Sequence, residues 1–210
     1  MPVAALDDAP GAAHAPALGR IGPNAVLQLA EVLLQQDGAE RRAQVFRRAG
    51  LLNHLAAPPT TMVEEEEVAR LFTALRDEFG QVAALKRLRK AGGRTAEYLL
   101  AHRIPAFARL LLPHMPAHFA AVLLTRSIQR HGWTFLGSGS LDVVRGTPLG
   151  IRIRLAQSLV PIGRLASEFY RATFEGLFRK LVHPDARAVP EAGGNGICRF
   201  DIIWSGQHHG

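Results

Sequence analysis

The chain has 210 residues, 48% apolar and 20% charged, which suits one substantial globular domain and excludes wholesale disorder. Its formal charge is +7, so anionic partners are favoured: nucleic acid, an anionic membrane face, an acidic protein or a carboxylate-bearing ligand. The single cysteine excludes an internal disulfide and a cysteine-rich zinc cluster, and nothing calls for an oxidising compartment.

Residues 1–20 are rich in Ala, Pro and Gly and lack a basic region followed by an apolar run, so they read as a disordered leader rather than a signal peptide. No apolar run reaches the length that crosses a bilayer. The expectation is a soluble, cytoplasmic protein with one domain over 21–204 and a polar tail over 205–210.

Gly22-Pro23-Asn24 is a helix-start signal, and Val26, Leu29, Ala30, Leu33 and Leu34 then share one helical face. Gly38 ends that helix, and a second covers Glu40 to Ala49, stopped by Gly50. Thr61-Met62-Val63-Glu64 has capping-box spacing. Glu64 to Glu67 read as a helix start, where the dipole favours negative charge, rather than as a metal site. That helix runs through Leu71, Phe72 and Leu75 to Phe79, and another from Val82 towards Lys90. Gly92-Gly93 predicts a break, with Thr95 capping a segment that reaches His102. Pro105, Pro113 and Pro116 punctuate an apolar stretch, giving a short helix before Pro113 and a longer one from Ala117 to Gln129.

After Gly132 the period changes. WTFL and the residues that follow read as short β-type runs, with Gly137 to Ser140 as a hairpin turn. Ile151, Ile153 and Leu155 alternate with Arg152 and Arg154, giving a half-buried strand with one basic face. A long amphipathic helix follows from about Pro161 to Val182, with Gly163 and Gly176 marking either close packing or simple tolerance. His183-Pro184 ends it, and a short segment near Ala186 to Val189 and a Gly-rich turn lead to the last strand. The order predicts an α+β fold, with helices packed around a small, largely antiparallel sheet.

No dinucleotide fingerprint, phosphate loop, nucleophile elbow or HExxH run is present, and no catalytic residue or metal site is assigned. His114 and His118 are four apart, but Pro116 between them makes one regular helix doubtful. They read as surface histidines or as ligands to a metal centre, and His131, at a helix end, as a dipole partner or a third such candidate. In the last strand Cys198, Phe200, Ile202 and Trp204 share one side, with Arg199, Asp201 and Ile203 on the other. Cys198 therefore reads as a small hydrophobe in a core strand rather than a nucleophile.

The start RIGPNAVLQLAEVL and the ending GNGICRF, with its Gly-x-x-x-Cys-x-Phe spacing, resemble the 4-vinyl reductase domain family over about Ile21 to Trp204. Within that family the chain looks more like the members from bacteriochlorophyll biosynthesis. The resemblance implies a fold shared with haem-based nitric oxide sensors and with certain trafficking-complex subunits, enclosing an apolar ligand pocket. Many relatives carry a further cysteine about eight residues before the last one; here that position is Pro190, so a two-thiol site is in doubt.

The resemblance implies either of two activities. The preferred expectation is an accessory carrier with no intrinsic cofactor. It would bind Mg-porphyrin intermediates and deliver them to pathway enzymes such as Mg-chelatase and the Mg-protoporphyrin methyltransferase. Arg152 and Arg154 would meet the ring propionates, and His114, His118 or His131 the central Mg. The alternative is a 4-vinyl reductase acting on a chlorophyllide intermediate. A basic protein-interaction or nucleic-acid-binding module is the third reading, and a homodimer is allowed for.

Overall fold

Helices form where apolar residues recur at helical spacing, and most of their ends fall at glycine or proline. A computed structural model describes residues 19–131, 133–191 and 194–207, apart from the side chains of 131–134. Most of the expected leader and the end of the tail lie outside these residues. Gly19 and Arg20 belong to the fold, because Gly19 accepts the Glu65 N–H and Arg20 opens a strand.

A two-stranded ribbon pairs β1 (Arg20–Ile21) with β2 (Val63–Glu64). Helix α1 (Asn24–Arg48) is interrupted at Gly38, whose φ of +83° is accessible mainly to glycine. The two expected helices are thus its two arms. After the single turn α2 (Asn53–Ala56), helix α3 (Glu65–Phe79) carries Glu65, Glu66 and Glu67 in its first turn. The helix-start reading of the acidic run holds, but not the capping box: Glu64 is the cap residue and no side chain caps it.

Helix α4 (Gln81–His102) runs straight through Gly92-Gly93, where a break was expected. Tertiary packing overrides the propensity. A Cβ at Gly92 would lie 2.4 Å from the Phe169 carbonyl oxygen, so glycine lets two helices cross closely. The partner is α8 (Gly163–Leu181), the expected long amphipathic helix, preceded by a 3-10 turn at Gln157–Ile162. Gly176 serves the same contact, since a Cβ there would meet Ala96 Cβ at 2.6 Å. Gly163 begins α8 and has only ordinary contact with Leu155.

Between α4 and α8 lie α5 (Ala106–Leu111), a 3-10 turn (Leu112–His114), α6 (Ala117–His131) and the short α7 (Trp133–Leu136). WTFL is therefore helical rather than extended. The sheet begins only at Ser140, so the run has no strand to pair with, and the buried Tyr170 hydroxyl donates to the Phe135 carbonyl at 2.9 Å. Gly137 to Ser140 is not a hairpin turn either; it joins α7 to the sheet. Glu65, buried, holds it by accepting from the Ser138 N–H and, at 2.9 Å, from the Ser138 hydroxyl.

The four-stranded antiparallel sheet has the order β3 (Ser140–Val144), β4 (Leu149–Arg154), β6 (Ile197–Ile203), β5 (Arg187–Pro190). Leu149, Ile151 and Ile153 stand opposite Ile202, Phe200 and Cys198, and this face is buried. Helix α8 packs on the sheet, α4 lies along α8, and α1 and α3 close the far side. The α+β expectation is met.

Candidate ligand-binding surface

Prolines shape the segment from Pro105 to His131. Pro105 precedes α5, Pro113 falls in the 3-10 turn, and the Pro116 carbonyl accepts from Phe119 and Ala120 at the start of α6. These bends leave α5 only six residues, none buried. Phe107 and Leu110 are each 72% exposed, and Leu111 at 56% lies beside them at helical spacing. On α6, Ala120, Ala121, Leu124 and Ile128 are buried. Phe119, 60% exposed, Leu123, Arg126 and Arg130 follow one another along the outer face. Between Glu97 and Asp142 the sequence contains no Asp or Glu, while Arg103, Arg109, Arg126 and Arg130 fall inside it. Solvent-facing phenylalanine and leucine grouped in this way mark a contact surface.

His114 ends the 3-10 turn between the two helices and is exposed. Its Nδ1 lies 2.7 Å from the Leu110 carbonyl oxygen. A carbonyl only accepts, so Nδ1 is the donor, and Nε2 is the ring nitrogen left for a ligand. His118 opens α6 with its ring edge-on to Phe119 at 6.1 Å, also exposed. The two histidines sit on different elements, as Pro116 requires. His102 donates to the Tyr98 carbonyl at 3.1 Å and stacks on the Tyr98 ring. The side chain of His131 lies outside the described residues. No group of three metal-ligating side chains occurs among the described residues.

Arg152 and Arg154 are not brought to these histidines. Both leave the sheet from its outer face, opposite the face that α8 covers, with Arg152 directly across from Arg199 and Arg154 from Ile197. The His114 turn touches α8 on the other side. In sequence, the arginines that flank His114 on its N-terminal side are Arg103 and Arg109, both exposed.

Cys198 is 5% exposed, between the sheet and α8. Its Sγ is 4.0 Å from the Gly163 carbonyl oxygen. Burial pushes the thiol up from its ordinary value, against a hydrogen bond from Ser167, so the nucleophilic thiolate is suppressed. Phe200 and Ile202 are buried beside it and Trp204 packs at the edge of the same core. Burial, with Cys198 and Glu65 nearby, pushes the Tyr170 hydroxyl up as well.

Two clefts lie elsewhere. One, of about 480 Å³, lies between α1 and α4 and is lined by Gln35, Gln36, Lys90, Arg94 and Glu97. The other, of about 290 Å³, is lined by Arg48, Arg70, Asp77 and Ser158 among others. Both are open; the first is lined largely by polar side chains, and the second also by Ala69, Ala74, Pro161 and Ile162, so neither is the enclosed apolar pocket that the resemblance implied.

The fold is that of H-NOX proteins. The unliganded Fe(II) H-NOX protein from K. algicida superposes with a TM-score of 0.58 over 87% of this chain and 95% of its own, at 10% identity. An oxygen-binding H-NOX domain related to soluble guanylate cyclases gives 0.53 over 87% and 93%, at 11% identity. No protein-family model matches the chain. The bacteriochlorophyll synthase 23 kDa chain of Cereibacter sphaeroides is 37% identical over 96% of this chain and 97% of its own length. Its namesake from Rhodobacter capsulatus is 38% identical over 79% and 77%. At that identity across the whole fold, the chain belongs to the family of the bacteriochlorophyll synthase 23 kDa chain.

Proposed function

We propose that the protein is an accessory tetrapyrrole carrier of bacteriochlorophyll biosynthesis, binding a Mg-porphyrin against the α5–α6 surface. The observation that carries the reading is His114. Its Nδ1 donates to the Leu110 carbonyl, which leaves Nε2 of this exposed residue as the nitrogen open to a ligand, beside solvent-facing apolar side chains. A Mg centre accepts such a nitrogen, and a flat apolar ring suits Leu110, Leu111 and Phe107. Arg103 and Arg109 supply cations for the ring carboxylates. The relatives' names support the pathway, and the H-NOX-like fold fits a porphyrin-sized ligand.

An open surface favours hand-over more than chemistry. A ring held on one side remains accessible to the next enzyme, with Mg-chelatase and the Mg-protoporphyrin methyltransferase as donor and acceptor. The test is a titration of the protein with Mg-protoporphyrin, followed at the Soret band, with pigment recovered for mass analysis. A saturable shift at one pigment per chain, with pigment returned unchanged in the presence of NADPH or reduced ferredoxin, is expected. No shift at micromolar pigment overturns the carrier reading. A divinyl chlorophyllide that gains two hydrogens in the same assay replaces it with a 4-vinyl reductase.

A further inference from the structure

The outer face of α6 offers more than a pigment calls for. Phe119, Leu123, Arg126 and Arg130 recur at i, i+4, i+7 and i+11, so apolar side chains give way to guanidinium groups along one line of the helix. That line is about 16 Å long at the usual helical rise. The opposite face, with Ala120, Leu124 and Ile128, is already buried, so folding places no demand on the outer one. Arg103, Arg109, Arg126 and Arg130 form no ion pair among the described residues, and the carboxylate-free stretch puts no acid nearby in sequence.

We propose that this face docks the protein on an anionic lipid bilayer. Protruding phenylalanine and leucine beside arginine is the composition that settles at a headgroup boundary: the apolar tips enter the acyl edge and the guanidinium groups meet phosphate. A fluid bilayer accepts such protruding side chains, whereas a protein partner would need matching hollows. A second copy of this chain is disfavoured, because two carboxylate-free cationic faces repel. Among the described residues no helix is long and apolar enough to cross a membrane, so this face attaches by surface contact. It concerns the pigment-free protein and holds whether or not a tetrapyrrole binds at His114.

The experiment is flotation of the pigment-free, full-length protein with mixed phosphatidylglycerol–phosphatidylcholine vesicles and with pure phosphatidylcholine vesicles. Binding to the anionic vesicles, weakening as salt rises, is expected, with little binding to the neutral ones. Each arginine near the surface is worth about fivefold in partitioning. Arg126→Glu with Arg130→Glu should therefore lower it by more than about tenfold, and Leu123→Ser should lower it too. Arg152→Glu with Arg154→Glu on the sheet face and His114→Ala should leave it unchanged. His114→Ala also separates this proposal from the carrier reading, since that variant affects pigment alone. Equal binding to both vesicle types, no binding to either, or loss only in the sheet-face variant overturns the proposal.

Discussion

Gly92 and Gly93 are neighbours in α4, and alanine at the two positions is predicted to act in opposite directions. A Cβ at Gly93 meets nothing within 4 Å. Gly93→Ala therefore gains the helix propensity that glycine forfeits, about 1 kcal/mol, with no contact to offset it. For a chain of this size that raises Tm by about 3 °C. At Gly92 the same gain meets an obstacle. The new Cβ would lie 2.4 Å from the Phe169 carbonyl oxygen, 2.9 Å from Ala172 Cβ and 3.2 Å from the Thr173 nitrogen. Two of these are backbone atoms of α8, and none can rotate away. The helices must separate, which also stretches the bond from the Thr173 hydroxyl to the Gly92 carbonyl, now 3.2 Å. Overpacking of this kind costs about 1–3 kcal/mol, and at least 2 is expected here, because backbone rather than side chain must move. The net loss for Gly92→Ala is about 1–2 kcal/mol after the propensity gain. Thermal and urea unfolding, followed by circular dichroism, would read both variants. A Gly92→Ala protein as stable as wild type would show that α4 and α8 do not cross this closely.

Cys198→Ala should leave pigment binding unchanged and cost about 1 kcal/mol of stability, as expected for a small buried hydrophobe; abolished pigment binding with the fold intact would restore the thiol to the site. Glu168 accounts for part of the acid response. Burial opposes its ionisation, but hydrogen bonds from Arg171 and Arg89 outweigh that and hold its carboxyl below the ordinary 4.5. A lowered folded-state value means the contribution is present above pH 4.5 and lost as pH falls through the folded value. Unfolding midpoints measured down the acid limb should therefore fall less steeply in Glu168→Gln, and an unchanged slope would contradict this.

The sequence was most informative where one local rule governs. Alternation alone placed Cys198, Phe200 and Ile202 on the buried face of β6, and the acidic run fixed the start of α3. It misled where a distant partner decides. Gly92-Gly93 looks like a break until Phe169 and Ala172 are seen to need the missing Cβ. WTFL has strand-like composition, but its surroundings are Tyr170 and the Glu65-bound loop rather than a strand. For the candidate site, residue types were legible in the sequence and their geometry was not. His114 and His118 stand out by type and spacing, but the proton position of His114 depends on the Leu110 carbonyl and cannot be read from spacing. Arg152 and Arg154 were correctly placed on a strand face, yet only the packing of α8 shows which side of the sheet that face occupies.

The carrier account rests most directly on His114 Nε2 as the nitrogen that meets the metal. The decisive measurement compares wild type, His114→Ala and His118→Ala in absorbance titrations with Mg-protoporphyrin and with metal-free protoporphyrin. His114→Ala should weaken the Mg form by about tenfold or more and remove its Soret shift, since loss even of a group that only supports a metal ligand costs that much. It should leave the metal-free form nearly unchanged, since apolar contacts and arginines hold that ring equally well. Equal losses for both pigments, or an unaltered Soret shift in His114→Ala, would contradict ligation by His114.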